Sequence, residues 1–211
     1  KAFIIDGVKK DELIAADPKN AEIIKPLLRG RDIQPYRNKF TDSWLIFVPW
    51  HFPLNNDTSI QGASQKAEQD LEKLFPVIYK HLQEHKEKLK KRNQTETGIR
   101  YEWYALQRCA ATYKTEFEKE KVVWKRIGSI MRFSYDDTGA FCLDSTCIAT
   151  GEHLKFLVGV LNSKVCLHEL TRIAPKTGTG DQIISVQALE PLRIPKPDAL
   201  QEQAITKLDR K

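Results

Sequence analysis

The sharpest catalytic spacing in the chain is HLQEH, in which His81, Glu84 and His85 follow the pattern H-x-x-E-H. On a helix, two histidines four residues apart share one face and could bind zinc, with the glutamate beside them as a base. A zinc site needs a further protein ligand, and the many lysines that follow would repel a dication. We therefore predict a helical surface here and keep a zinc hydrolase as an alternative function.

Two other patterns are weaker indications of chemistry. Asp136, Asp137 and Asp144 surround a predicted hairpin and could suggest a metal-dependent nuclease, but aspartate in a DDTG turn is ordinary turn chemistry. The glycine-rich residues 177–180 (TGTG) match neither the P-loop nor the dinucleotide-binding pattern. We assign no catalytic residue, metal or cofactor to this chain and predict a non-catalytic module.

Positive charge is concentrated in one central stretch. Residues 76–132 hold 14 Lys+Arg and 7 Asp+Glu, a net of +7, whereas the remainder holds 20 and 21. The densest run is HKEKLKKR at residues 85–92, and aromatic residues are interleaved with the later cations. Basic side chains alternating with planar ones are typical of a nucleic-acid surface, although a solvated lysine-rich helix followed by core aromatics is the competing interpretation.

Contacts to phosphates position a protein on DNA, and contacts to base edges specify the sequence. Eight cations are predicted to bind phosphates: Lys88, Lys90, Lys91, Arg92, Lys114, Lys125, Arg126 and Lys176. Four side chains that can meet base edges are predicted to read them: Arg100, Gln107, Arg108 and Arg132. Trp103 and Tyr104 could stack on bases, whereas Trp44 and Trp124 are expected in the core. Arg31 and Asp32 are expected to pair and fix a turn.

Helices and strands that must position these residues alternate without a βαβ repeat. Apolar spacing and turn signals predict helices over residues 11–16, 20–28, 64–74, 76–92, 153–170 and from 199 onward. Strands are predicted over residues 3–5, 44–48, 121–127, 130–135 and 140–143, with a short extended segment at 189–194. The pattern predicts an α+β fold of small mixed sheets and several helices.

Composition narrows the setting. The 211 residues contain no apolar run near the roughly 20 residues of a membrane span, so no membrane partner is expected. Four cysteines lie far apart without a C-x-x-C pair, which favours buried thiols in a reducing, cytoplasmic compartment. The chain opens on Lys1 and its only methionine is Met131, so we expect a piece of a longer polypeptide.

Nine stretches, in order, resemble the TaqI-like C-terminal specificity domain. They are residues 2–6 (AFIID), 17–26 (DPKNAEIIKP), 28–33 (LRGRDI), 44–47 (WLIF), 75–79 (FPVIY), 86–92 (KEKLKKR) ahead of Trp103 and Tyr104, 121–126 (KVVWKR), 141–146 (FCLDST) and 154–164 (LKFLVGVLNSK). That domain is the target recognition part of type IIG restriction–modification enzymes and of adenine-specific DNA methyltransferases. The tail, from residue 192 (LRIPKP), is similar to the proline exit into the spacer helix of type I specificity subunits.

The resemblance implies a DNA target recognition domain at residues 1–195 and the start of a spacer helix at 196–211. It implies double-stranded DNA as the partner, and methyltransferase and nuclease domains elsewhere in a parent chain that uses S-adenosylmethionine and Mg²⁺. Neither N-P-P-Y nor a glycine-rich S-adenosylmethionine loop occurs in this sequence. No catalytic residue can therefore be carried over from the parent enzymes, and a protein-docking spacer remains a second alternative.

Overall fold

Short helices and short strands alternate along the chain, which confirms the predicted α+β class. The structure, a computed structural model, describes residues 2–109 and 114–208. The chain divides into two compact units: unit 1 is residues 1–26 and 42–114, and unit 2 is residues 27–41 and 115–211. The predicted spacer segment begins within unit 2, and its last residues, 209–211, lie outside the described ones.

Unit 1 begins with a small antiparallel sheet. Its elements are β1 (Ile4–Asp6), α1 (Gly7–Ala16), a 3-10 helix (Pro18–Glu22), the first residues of β2 (Ile24–Leu28), and β4 (Ser43–Ile46). Strand β4 is central and pairs with β1 and with residues 24–26 of β2. The predicted helix over 20–28 is therefore wrong. Apolar pairs at 23–24 and 27–28 mimic helical spacing, but Pro26 would break a helix interior, and it fits a short strand.

Three helices follow in unit 1: α2 (Gln65–Leu74), α3 (Pro76–Gln83) and α4 (Lys86–Lys90). The predicted helix at 64–74 is confirmed, with the Ser64 hydroxyl accepting from the Ala67 N–H at 3.1 Å. The single helix predicted over 76–92 is instead broken between Gln83 and Lys86. There α3 ends at Glu84, whose backbone N–H donates to the carbonyls of Lys80 and Leu82.

The core of unit 1 contains a buried carboxylate that joins distant loops. Glu102 accepts from the backbone N–H groups of His51 and Ser64, each at 2.8 Å, and bonds His51 Nδ1 at 2.9 Å. Around it pack buried apolar and aromatic side chains, including Leu71, Ile78, Leu82, Tyr101 and Tyr104. Because buried polar groups are costly when unpaired, these bonds make the loop positions specific.

Unit 2 is built on a second sheet, of order β3-β7-β5-β9. Its strands are β3 (Tyr36–Arg37), β5 (Lys121–Lys125), β7 (Phe133–Asp136) and β9 (Thr146–Ala149). Strand β5 is antiparallel to both β7 and β9, and β3 is parallel to β7. Smaller pairings join β6 (Ile127–Gly128) to β10 (Gln182–Ile183), and β8 (Phe141–Cys142) to the end of β2. The DDTG turn therefore precedes a strand, as predicted, but β8 pairs with β2 and forms no hairpin with β7.

The helices of the described part of unit 2 are α5 (Lys114–Glu118, which begins at the unit boundary), α6 (Leu154–Leu161), α7 (Lys164–Ile173), α8 (Val186–Leu189) and the terminal α9 (Ala199–Leu208). The helix predicted over 153–170 is divided at Asn162, whose side chain bonds both the N–H and the carbonyl of Phe133 in β7. Ser163 then starts α7, accepting from the Cys166 N–H. The segment predicted as extended from residue 189 instead begins at the end of α8.

Candidate nucleic-acid interface

A concave basic surface lies in unit 2 at the end of β5. We call it the basic cleft; its volume is about 170 Å³, and it is lined by Gly30, Arg31, Ile33, Lys125, Gly128, Ser129, Ile130 and Arg132. Residues almost 100 positions apart in sequence thus supply its cations. Three positively charged side chains around one depression are suited to a polyanion, because a concave basic wall concentrates the positive potential.

The loop that carries Arg31 is held by the residue next to it. Asp32 is 1% exposed, and its carboxylate accepts from the Arg29 N–H at 2.8 Å and from the Thr41 hydroxyl at 2.9 Å. Arg31 Nε stands 3.8 Å from this carboxylate, and the arginine side chain is 68% exposed. The predicted pairing of Arg31 with Asp32 is present but long, so Asp32 fixes the turn mainly through other partners and the guanidinium remains available at the surface.

The opposite wall of the basic cleft rests on a rigid strand. Lys121, at the start of β5, is fully buried and forms an ion pair with the buried Asp136 of β7, while also donating to the Phe117 carbonyl at 2.6 Å. At the other end Trp124 is buried and donates through Nε1 to the Ile184 carbonyl at 2.7 Å, as expected for a core residue. Lys125, the last residue of β5, therefore lies directly after an anchored position.

The Asp136 carboxylate is used by hydrogen bonds and an ion pair within unit 2, and this argues against its proposed role as a metal ligand of a nuclease. Besides Lys121, it accepts from the Thr138 hydroxyl at 2.7 Å and from the Ala140 N–H at 3.2 Å. A carboxylate satisfied by an ammonium and two further donors is a structural group of the turn. Asp137, the neighbouring member of the predicted cluster, is exposed.

Of the predicted DNA contacts, Lys125, Arg126 and Arg132 come together in unit 2. Lys125 and Arg132 line the basic cleft, and Arg126 is the exposed next residue after Lys125. Arg132 Nη1 donates to Gln34 Oε1 at 3.3 Å, which supports its guanidinium at the rim. The sequence analysis did not identify Gly30, Gly128 and Ser129 as lining residues, and it expected a structural role for Arg31. The signal that could have indicated this surface is the presence of glycines close to basic residues in both segments.

The lysine-rich run of unit 1 separates into two kinds of cation. Lys88, Lys90 and Lys91 are exposed on and just after α4. Lys86 is instead paired with Glu68 at 3.2 Å and lies 4.5 Å from the centre of the Trp103 ring. The exposed three keep the predicted role of phosphate contacts as a proposal.

Arg92 requires a correction. Its guanidinium and Nε donate to the carbonyls of Leu89, Trp103 and Ala105 at 2.8–3.1 Å, and it packs over the Phe3 ring at 5.2 Å. Its Nε and Nη2 donors are thus used inside unit 1, and burial lowers its pKa from the usual value. The structure therefore gives Arg92 a role in tying the end of α4 to a loop, and a phosphate contact through Nη1 stays a prediction.

The predicted stacking residues are also corrected. Trp103 is 5% exposed and donates through Nε1 to Glu68 Oε1 at 2.6 Å, while Tyr104 is fully buried and donates to the Phe52 carbonyl at 2.9 Å. Burial raises the pKa of Tyr104 far above its ordinary range. Rings packed in the core cannot stack on bases. Trp44 is half-buried against the same core, near its predicted place.

The remaining predicted contacts do not line the basic cleft. Arg100 pairs with Glu96 at 2.9 Å and lies over the Trp50 ring, and Lys114 lies 5.5 Å from the Phe47 ring centre. Of the other three predicted contacts, Gln107 is half-buried, and Arg108 and Lys176 are exposed. Residues 110–113, beside Lys114, lie outside the described ones.

The H-x-x-E-H motif does not form a metal site. His81 is buried, its Nε2 bonds the Ala2 carbonyl at 2.9 Å, and burial lowers its pKa below 6.5. The break after α3 puts His85 beyond the helix, with the two rings meeting edge to face at 5.4 Å. Among residues 2–109 and 114–208, no three His, Cys, Asp or Glu side chains are grouped to hold a metal. His81 is therefore a buried hydrogen-bonding group of unit 1, and His85 lies outside the helix that was expected to carry both histidines.

Cys166 is buried, and Cys109, Cys142 and Cys147 are half-buried. Burial raises the pKa of Cys142 to about 12, so this thiol stays protonated. In the part of the chain that the structure describes, no helix has the length and apolar character to cross a bilayer.

Comparison with known proteins places this α+β chain in a defined class. The family of the TaqI-like C-terminal specificity domain matches residues 25–194, most of the chain. The chain belongs to this family, which confirms the resemblance seen in the sequence.

A solved structure supports the same fold. It is the type IIL restriction–modification enzyme MmeI in complex with DNA, matched with a TM-score of 0.52 and 12% sequence identity. The match covers 98% of this chain and 25% of MmeI, so the present chain spans about a quarter of that enzyme's length. No curated protein matches the sequence.

Proposed function

We propose that this chain is a sequence-specific recognition module for double-stranded DNA in a restriction–modification enzyme. The observation that carries the proposal is membership of the specificity-domain family over residues 25–194. The MmeI structure, a fold neighbour bound to DNA, supports it. The basic cleft supplies the chemistry, since exposed cations in a depression attract the phosphate backbone.

The module is non-catalytic in this proposal. It would place target DNA for an adenine methyltransferase and an endonuclease, both in other domains of a longer type IIG parent chain. S-adenosylmethionine and Mg²⁺ would serve those domains. The proposal carries with it a cytoplasmic location, where host DNA and the cofactors are found.

Fluorescence anisotropy of the 211-residue chain with a randomised duplex, at several salt concentrations, tests the proposal. Each phosphate that the chain neutralises should add about −0.9 to the slope of log affinity against log salt. Replacing two exposed arginines of the cleft region, Arg31→Gln with Arg126→Gln, should make this slope shallower by about 0.9 for each phosphate that is no longer neutralised.

The matched control removes one lysine and one arginine from elsewhere in unit 2. Lys164 and Arg193 are both exposed and lie outside the basic cleft, so Lys164→Gln with Arg193→Gln should leave the slope unchanged. Absence of salt-dependent duplex binding at low salt would contradict the proposal and move the assignment to the protein-docking spacer.

A further inference from the structure

Two glycines flank the side chain of Lys125 in the basic cleft. A Cβ atom at Gly30 would lie 3.1 Å from Lys125 Cγ and 3.3 Å from Cδ. A Cβ atom at Gly128 would lie 3.5 Å from both Cδ and Nζ of the same lysine. At Gly30 the stem of Lys125 therefore runs closer to the backbone than most side chains would allow, whereas at Gly128 a Cβ would make an ordinary van der Waals contact with the lysine.

Backbone conformation does not explain these glycines. Neither Gly30 nor Gly128 has a positive φ, unlike five other glycines of the described chain. A glycine whose φ any residue could adopt is informative through the space it leaves, since it lets another group approach the backbone closely. At Gly30 the group that occupies that space is Lys125, and at Gly128 it is Lys125 together with the Ile130 carbonyl.

The side chain of Lys125 is exposed, and its ammonium forms no hydrogen bond or ion pair in residues 2–109 and 114–208. Its backbone is nevertheless fixed, because Lys125 is the last residue of β5 and pairs with Thr146 of β9. A donor that is restricted before binding loses less freedom when a ligand arrives, which is the usual basis of preorganised recognition.

The lining of the basic cleft indicates which base such a donor would meet. Its charged side chains are Arg31, Lys125 and Arg132, which only donate hydrogen bonds, and Ser129 is its one hydroxyl. No carboxylate or amide side chain is among these lining residues, all of which are described. Adenine and cytosine present amino donors in the major groove and call for such acceptors, whereas guanine presents the adjacent acceptors O6 and N7.

We propose that Gly30 is a positioning residue that leaves room for the Lys125 stem, and that the Lys125 ammonium is the donor reading a guanine edge. This inference rests on the proposed DNA-recognition function and revises the phosphate role predicted for Lys125. Phosphate oxygens are also acceptors, but a flexible surface lysine can reach them without a stem packed between two backbones. The two roles differ in outcome: removing a base contact relaxes preference at one base pair, and removing a phosphate contact weakens all duplexes equally.

The experiment first selects preferred duplexes from a randomised library with the 211-residue chain. Affinities are then measured for a selected duplex and for versions changed at single base pairs, with the wild type, Lys125→Met, Gly30→Ala and Gly128→Ala. Lys125→Met keeps the stem and removes only the ammonium. Gly178→Ala is the matched control, because a Cβ there meets nothing within 4 Å and its φ is not positive.

Lys125→Met is expected to lower affinity for the selected duplex about tenfold and to abolish discrimination at one G·C pair, with the salt slope unchanged. Gly30→Ala should relax preference at the same pair, because its Cβ must displace the lysine stem. Gly128→Ala should change the preference little, because its Cβ would make only an ordinary contact with the lysine at 3.5 Å, and Gly178→Ala should behave as wild type. Thermal unfolding of each variant accompanies the binding measurements.

Three results would overturn the inference. A uniform loss for Lys125→Met, with the slope shallower by about 0.9, would make Lys125 a phosphate contact. A lowered melting temperature for Gly30→Ala with unchanged preference would make the glycine purely structural. Salt-dependent binding without preference at any G·C pair would also contradict guanine reading while leaving DNA binding intact, whereas no duplex binding at all would reject the proposed function itself.

Discussion

The lysine-rich helix α4 of unit 1 and the basic cleft of unit 2 are both positively charged, but they are built differently. Helix α4 draws its charge from one short run, and the members of that run nearest the core, Lys86 and Arg92, are engaged by Glu68 and by backbone carbonyls. The basic cleft draws its cations from two distant segments, with Arg31 exposed and Lys125 unpartnered among the described residues.

The comparison shows that a high density of positive charge along the sequence does not by itself provide cations that are placed to contact a base edge. A solvated helix such as α4 presents flexible point charges that attract any phosphate backbone. A concave site with a held donor can distinguish one base edge from another. We therefore expect α4 to contribute affinity without specificity and the basic cleft to contribute specificity. The following predictions test each side of that comparison.

The largest effect is expected where the framework of the basic cleft is broken. Asp136→Ala removes the only carboxylate paired with the fully buried Lys121 in the described chain, leaving an uncompensated ammonium. Breaking a buried ion pair from one side costs about 3 to 5 kcal/mol of unfolding free energy. Urea denaturation measures this loss, and the exposed neighbour variant Asp137→Ala should change stability by less than about 0.5 kcal/mol. If Asp136→Ala changed the free energy of unfolding as little as Asp137→Ala, the ion pair would contribute nothing to stability.

A smaller loss is expected in unit 1 from Glu68→Ala. This carboxylate accepts from Trp103 Nε1 at 2.6 Å, Tyr79 hydroxyl at 2.9 Å and Lys86 Nζ at 3.2 Å. Burial raises its pKa, but these hydrogen bonds outweigh burial and hold the pKa below the ordinary value. Unpairing the two ring donors should cost about 2 kcal/mol in denaturant unfolding.

The control for Glu68 lies on the same helix. Glu72 is exposed on α2, so Glu72→Ala should be nearly neutral. If Glu68→Ala were equally neutral, the corrected core role of Trp103 would lose its main support.

Replacing the three exposed lysines after α3 tests the contribution of α4. Lys88→Gln, Lys90→Gln and Lys91→Gln together should weaken binding about tenfold, equally for preferred and non-preferred duplexes, and flatten the salt slope by up to about 2.7. Competition anisotropy on both duplexes measures this. A change in base preference by this triple variant would contradict the comparison, and Lys66→Gln with Lys73→Gln, two exposed lysines of α2, is the matched control.

The smallest effect is a pH dependence at His81. Burial lowers the pKa of this imidazole from 6.5, despite the opposing hydrogen bond to the Ala2 carbonyl. Between the lowered folded value and 6.5 the unfolded chain binds more protons, so stability is full above pH 6.5 and declines as the pH falls below it. Melting temperatures from about pH 7 to about pH 5.5 should fall slightly for the wild type and less for His81→Gln. The exposed His168→Gln should keep the wild-type slope.

Several elements could be read from local sequence because local interactions decide them. Ser64 and Pro76 mark the helix starts of α2 and α3, and the residues of β5 have the aromatic and β-branched content of a buried strand. Element breaks were not readable in the same way. Asn162 divides a long apolar helix pattern only because its side chain finds the backbone of Phe133, 29 residues away.

By itself the sequence determined the family, the α+β class and the location of the excess charge, because these depend on residue types in order along the chain. Tertiary structure alone decided which cations and rings are available. It buried Trp103 and Tyr104, engaged Nε and Nη2 of Arg92, and brought Arg31 beside Lys125 and Arg132 in unit 2. The physical reason is that hydrogen-bond partners and solvent exposure are set by segments distant in sequence, and local pattern carries no record of them.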